Sequence, residues 1–349
     1  MRRLLALLLP LLLLAAACGD GEDSGSAGGS DSGDEAVSGE VNITGSSTVE
    51  PISTSVAELF QEDNGDVTVN VDGPGTGDGF QLFCNGEADI TDASRPIEEE
   101  EATACQQSGV EYIELKVAFD GISVLTNPAN EDVSCLMFAD LYALVGPESE
   151  GVDNWSDAAA LAGELGSTTD LPDAGLDITA PGEESGTYDS FIELALGDIA
   201  EERVAAGAIT EDQAETTRPD YQASGDDNVI IEGIEGSDTS LGWVGFAFAE
   251  EAGDQVKELE VDGGDGCVAP SADTISDGSY PLSRPLFVYV NKAKAESNAA
   301  IAAYVDFYLS DEGISSVEEV GYVALPDDQF SETTTAWEDR TTGTREGTE

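Results

Sequence analysis

From about residue 41 onward, apolar runs with a period of two alternate with apolar runs at helical spacing, and this alternation constrains the fold most. A chain that repeats strand then helix builds an α/β architecture with mostly parallel strands. Val41 and Ile43 lead into Gly45-Ser46-Ser47-Thr48, and Ile52, Val56, Leu59 and Phe60 follow at helical spacing. Val67, Val69 and Val71 alternate before Gly73-Pro74-Gly75-Thr76-Gly77-Asp78-Gly79, with Phe80 and Phe83 after it. Ile178 precedes Ser185-Gly186-Thr187, and Phe191, Leu194 and Ala195 follow. A helix start leaves its first N–H groups unpaired at the positive end of the dipole. Glycine admits a ligand to the backbone, and hydroxyls add donors. Taken singly, each junction reads as an ordinary cap or turn. Facing one point, the three would form an uncharged cage for a small oxyanion.

The remaining elements continue the pattern. Tyr112–Val117 and Ile122–Leu125 read as two strands, and Phe138–Val145 as a helix that stops at Gly146-Pro147. Leu176–Ala180 reads as a strand and Ser190–Gly207 as helical. Leu241–Phe246 is apolar and glycine-punctuated, as a closely packed core segment would be. Leu286–Val290 reads as a buried strand, and Ala293–Leu309 as one amphipathic helix carrying Ile301, Tyr304, Val305 and Tyr308. The tail beyond about Ser331 is polar and reads as loosely attached.

Composition narrows the function. The 349 residues hold 73 acidic and 12 basic side chains and no histidine, for a net charge of −61. That charge argues against nucleic acid and against contact of the folded part with an anionic membrane surface. It suits a medium of high ionic strength, where self-repulsion is screened. Without histidine no Ser-His-Asp triad can form. Two residues separate Gly182 from Ser185, which is wrong for a nucleophile elbow, and no Walker lysine follows Gly79. An enzyme is not expected, nor a cofactor.

The N-terminus reads as a targeting segment. Arg2 and Arg3 precede a leucine-rich run over Leu4–Leu14, then Ala15-Ala16-Ala17 and Cys18. The run is short for a bilayer span and has the layout of a signal peptide. A cysteine directly after the small residues resembles a bacterial lipobox, which makes 1–18 the signal peptide and Cys18 the lipidated residue. Residues 19–40 are Gly, Ser, Asp and Glu with almost nothing apolar, a flexible acidic tether. Of the cysteines that remain, Cys84, Cys105, Cys135 and Cys267, an even number outside the cytoplasm suggests disulfides. Three pairings are open. The local pair Cys84–Cys105 with Cys135–Cys267 is the expected one. Metal binding is not expected, because CxxC spacing and histidine are both missing.

Six segments in order resemble the PstS family, the phosphate-binding proteins of bacterial phosphate ABC transporters, and more narrowly its SphX-like lipoprotein branch. They are Gly45–Ile52, Gly73–Phe80, Ala88–Ile97, Ser185-Gly186-Thr187, Asp226-Asp227-Asn228 and Tyr280–Leu286. The resemblance implies a type II periplasmic-binding-protein fold. Residues 41–117 and 284–349 would form one lobe and 118–283 the other, joined by two crossover strands. It implies phosphate contacts from the Thr48 hydroxyl, the Val49 N–H, Thr76, Ser185, Gly186 and Thr187. It also implies a monomeric, lipid-anchored receptor on the outer side of the membrane, serving an ABC permease and ATPase. Two positions depart from the family pattern. Ser94 stands where an aspartate accepts a proton from bound phosphate, and Pro181 stands where an arginine neutralises it. Arg95 is then the first candidate for the counter-charge and Arg218 the second, with Arg284 supporting the crossover. Ser94 also keeps open another tetrahedral oxyanion, sulfate or arsenate, and the fold alone leaves open a phosphate-sensing or interaction protein.

Overall fold

The computed structural model describes residues 37–345, apart from Glu184. The signal peptide, Cys18 and most of the tether lie outside the described residues. The strands are β1 (Gly39–Gly45), β2 (Val67–Asp72), β3 (Ile90–Ala93), β4 (Tyr112–Thr126), β5 (Cys135–Met137), β6 (Asp177–Ala180), β7 (Gln222–Ala223), β8 (Ser240–Gly245), β9 (Lys257–Glu258), β10 (Glu260–Asp262), β11 (Cys267–Val268), β12 (Ser283–Asn291) and β13 (Val323–Ala324). The main sheet runs β2-β1-β3-β12-β4-β8-β6-β7, with β9 and β13 also on β4. β1 is parallel to β2 and β3, and β6 is parallel to β7 and β8. Between these two parallel groups, β12 and β4 run antiparallel to each other, β12 antiparallel to β3, and β4 antiparallel to β8. Two parallel α/β halves are thus joined through a pair of long central strands.

β4 is where the sequence reading needs correction. One strand of fifteen residues replaces the two expected strands, and every residue of it is buried. The residues between the two expected strands, 118–121, continue the ladder, and Gly121 lies against Ile275 so closely that a Cβ would sit 2.6 Å from the Ile275 Cδ1. The core divides along this strand. Ile113, Leu115, Val117 and Ala118 pack with Val41, Ile43, Leu286, Val288 and Tyr304. Phe119, Ile122 and Val124 pack with Leu141, Trp155, Phe191, Trp243 and Tyr280. Val323 and Leu325 join this second group although they follow residue 284.

Three further differences have local causes. The helix expected over 293–309 is two, Lys292–Ser297 and Ala299–Tyr308, because the Asn298 side chain accepts from the Ala300 N–H and caps the second. The tail is anchored: the helix Asp327–Glu338 buries Thr333, Ala336 and Trp337, and the Thr333 hydroxyl donates to the Lys116 carbonyl. The tether's last two residues, Gly39 and Glu40, already pair with Val67 and Thr68 in β1.

Both disulfides form. Cys84–Cys105 joins the helices Thr76–Cys84 and Glu99–Ser108. Cys135–Cys267 joins the outer strands of a small β11-β10-β5 sheet across 132 positions of chain.

Candidate functional site

The three Gly/Ser/Thr junctions, which follow β1, β2 and β6, meet through the first of them, with the end of β3 alongside. β1 ends at Gly45 (φ +136°), where a Cβ would overlap the Asp92 carbonyl oxygen at 2.1 Å. Only glycine lets the chain turn there. The Ser46 N–H donates to the Asp92 carbonyl, and Ser46 then receives the Thr48 N–H on its hydroxyl and the Val49 and Glu50 N–H groups on its carbonyl. The helix Glu50–Asp63 starts from this turn.

The glycine-rich junction lies against the first. The Gly75 N–H donates to the Gly45 carbonyl at 2.8 Å, and Gly79 packs on Gly45 itself. Thr76, the first residue of its helix, holds Ser94 at the end of β3: the two hydroxyls are 3.1 Å apart, and the Ser94 N–H donates to the Thr76 hydroxyl. The third junction closes against the first from the other half of the molecule. Ser185 caps the helix Gly186–Phe191 by accepting the Thr187 N–H. A side chain on Gly186 would meet the Ser47 carbonyl oxygen at 3.5 Å and the Tyr322 hydroxyl at 3.7 Å. One turn further on, the Ser47 hydroxyl donates to Asp189, and the Thr48 and Ser190 hydroxyls lie 3.2 Å apart. Thr48 and Ser190 are both buried.

The first junction, with Thr48 and Val49, thus touches the second on one side, where Thr76 holds Ser94, and Gly186 of the third on the other, although the Val49 N–H is already spent on its own turn. The two candidate cations both have carboxylate partners. Arg95, next to Ser94, turns away: its guanidinium binds the Glu101 carboxylate through two nitrogens at 2.8 and 2.9 Å and approaches Glu98. Arg218 is buried against Asp220 and the Leu144 and Val152 carbonyls. The guanidinium that stands among the junction hydroxyls is Arg284. Its Nη2 donates to the Ser190 hydroxyl at 2.8 Å and to the Thr48 hydroxyl at 3.1 Å, its Nε to Asp120 at 3.3 Å, and its Nη1 to Glu193. Burial opposes its charge, but Asp120 and Glu193 hold it. Burial also pushes the Asp120 and Asp189 carboxyls above their ordinary range, against the Arg284 charge on the first and the Ser47 hydroxyl on the second.

Sequence reasoning missed Arg284, Asp120 and Ser190 as site residues. The structure supplies the reason: Asp120 is an acid within a strand that is buried throughout, and such a group needs a cationic or hydrogen-bonding partner. Arg284 is its register partner in the β12–β4 ladder.

Comparison with known proteins follows the same lines. Residues 30–312 match the PBP superfamily domain. The chain is 37% identical over 293 residues to the protein SphX of Synechocystis sp., covering 83% of this chain and 80% of that protein. It is 34% identical to the phosphate-binding protein PstS of Staphylococcus saprophyticus, covering 92% of this chain and 88% of that one. A crystal structure described as a possible phosphate binding protein from Planctomyces limnophilus superposes with a TM-score of 0.77 at 35% identity, over 87% of this chain and 99% of that one.

Proposed function

The chain belongs to the PBP superfamily, with the PstS and SphX phosphate-binding proteins, and on that premise we propose that it captures inorganic phosphate outside the cytoplasm and hands it to an ABC importer. The family is a class of solute receptors rather than enzymes. The observation that carries the reading is the meeting of the first and third junctions, Ser47-Thr48 against Gly186 and Ser190, with Thr76 and Ser94 beside them. Hydroxyls and amides held close together by the fold have little rearranging to do when a tetrahedral anion arrives, and a buried setting strengthens each hydrogen bond. Thr48, Val49, Thr76, Ser94, Ser185, Gly186 and Thr187 are the proposed contacts. Residues 41–117 with 284–349, and 118–283, are the two lobes that close on the ligand. Cys18 is the proposed lipid anchor, and palmitate labelling lost in Cys18→Ser tests it. The receptor works as a monomer beside its permease and ATPase.

Titration calorimetry with inorganic phosphate tests the central claim. Saturable binding at one site per chain is expected, and no heat at any salt concentration would refute it. Ser94 motivates a second reading, a receptor for sulfate or arsenate, because a serine cannot repel a fully deprotonated anion by charge. Competition of sulfate against phosphate at pH 7 separates the two.

A further inference from the structure

We propose that Arg284 supplies the positive charge that faces the bound oxyanion, an inference that rests on the receptor reading above. Hydroxyls and amides offer partial charges, and an anion taken out of water needs more compensation than they give. The chain has only 12 basic residues, and the two nearest the site by sequence, Arg95 and Arg218, donate to the Glu101 and Asp220 carboxylates and to the Pro96, Leu144 and Val152 carbonyls rather than to a junction hydroxyl. Arg284 comes from a different element, the central strand β12, and its Nη2 donates to a hydroxyl from each half, Thr48 and Ser190.

The arrangement also explains how the charge becomes available. Asp120, 2% exposed and paired with Arg284 across the ladder, orients the guanidinium through Nε. Glu193 holds Nη1, but its side chain is 58% exposed and can swing into water. An oxyanion entering between the halves accepts from Nη2 in place of the two hydroxyl oxygens. The Thr48 hydroxyl is then free to donate to the same anion. No covalent step is involved.

The test compares phosphate affinity by calorimetry in the wild-type protein, Arg284→Gln, and the double variant Arg284→Gln with Asp120→Asn. The double variant leaves no buried unpaired carboxylate, and it keeps the net charge of the wild type, so a loss cannot come from the long-range field. The thermal midpoint reports folding in parallel. A roughly 10- to 100-fold loss of affinity in the folded double variant is expected, the range of a hydrogen bond to a charged group. Asp120→Asn alone keeps Arg284 and should tighten binding a few-fold. A folded double variant that loses less than tenfold, or an Asp120→Asn single variant that loses as much as the double one, overturns the inference while leaving the receptor reading intact. A wild-type protein that binds no phosphate overturns both.

Discussion

Gly79 lies against Gly45, so that a Cβ on Gly79 would sit 2.4 Å from the Gly45 Cα and 2.6 Å from the Thr91 hydroxyl oxygen. Two of the three junctions are therefore in contact through glycine backbones, and the spacing between them is set by the lack of side chains.

Gly79→Ala consequently forces the first junction away from the second. Overpacking of this kind costs about 1–3 kcal/mol, and the displaced Ser46–Thr48 turn should weaken phosphate binding as well. Gly77, two residues earlier on the same helix, has nothing within 4 Å of its would-be Cβ. Gly77→Ala is the matched comparison, expected to bind as the wild type does and to unfold at an equal or higher urea midpoint, since alanine favours the helix. Equal effects from both substitutions would show that the contact does not set the site.

The disulfides differ in the loops they close, 21 positions for Cys84–Cys105 and 132 for Cys135–Cys267. On chain entropy alone these are worth about 3 and about 5 kcal/mol. Cys84 and Cys105 are also buried, whereas Cys267 is exposed. Cys135→Ser with Cys267→Ser should lower the unfolding free energy by about 5 kcal/mol without touching the site, so phosphate affinity at low urea stays within about twofold. Unfolding curves of the two double variants, read against the wild type, measure both contributions.

Asp92 sits directly behind the first junction, with its carbonyl bonded to the Ser46 N–H and its carboxyl buried. Burial pushes that carboxyl up to about 8, with the Glu50 charge adding to the rise and the Ser53 hydroxyl working against it. In the unfolded chain it titrates near the ordinary 3.8. Because the folded value is raised, the stability associated with the protonated form is complete below pH ~4 and is lost as the pH climbs through about 8. Asp92→Asn removes this slope. The stability of Asp92→Asn relative to the wild type should rise by a few kcal/mol between about pH 4 and pH 8 and then level off, climbing by at most about 1.4 kcal/mol for each pH unit. Urea midpoints across that range, at constant high salt, give the comparison, and parallel profiles would exclude a buried protonated Asp92.

The parts of the fold that sequence reveals are those decided within a few residues. Val67, Val69 and Val71 declare a strand by period, and Gly75 and Ser185 declare helix starts by type. The break at Asn298 was hidden because it turns on whether one amide continues a helix or caps a new one. The union of Tyr112–Val117 with Ile122–Leu125 into one strand was hidden because Gly121 punctuates a turn as readily as it fits against Ile275. At the site, the hydroxyl-bearing junctions were legible as local motifs. Arg284 was not, since it reaches Thr48 across 236 positions and its place follows from a ladder register that local pattern does not encode.

The acidic surface makes a last prediction about rate. With 73 acidic against 12 basic side chains, phosphate approaches a protein of its own sign. Repulsion slows the encounter at low ionic strength, where the screening length is about 30 Å at 0.01 M, and fades near molar salt, where it is about 3 Å. The short hydrogen bonds that hold the anion change far less over the same range. Added KCl should therefore speed phosphate association several-fold, with most of the gain below about 0.5 M, the reverse of the salt dependence of an anion drawn to a basic site. Stopped-flow measurements with a reporter near the cleft would follow it. A rate that falls with salt would mean that the field at the cleft mouth is set by a local cation such as Arg284 rather than by the surface as a whole.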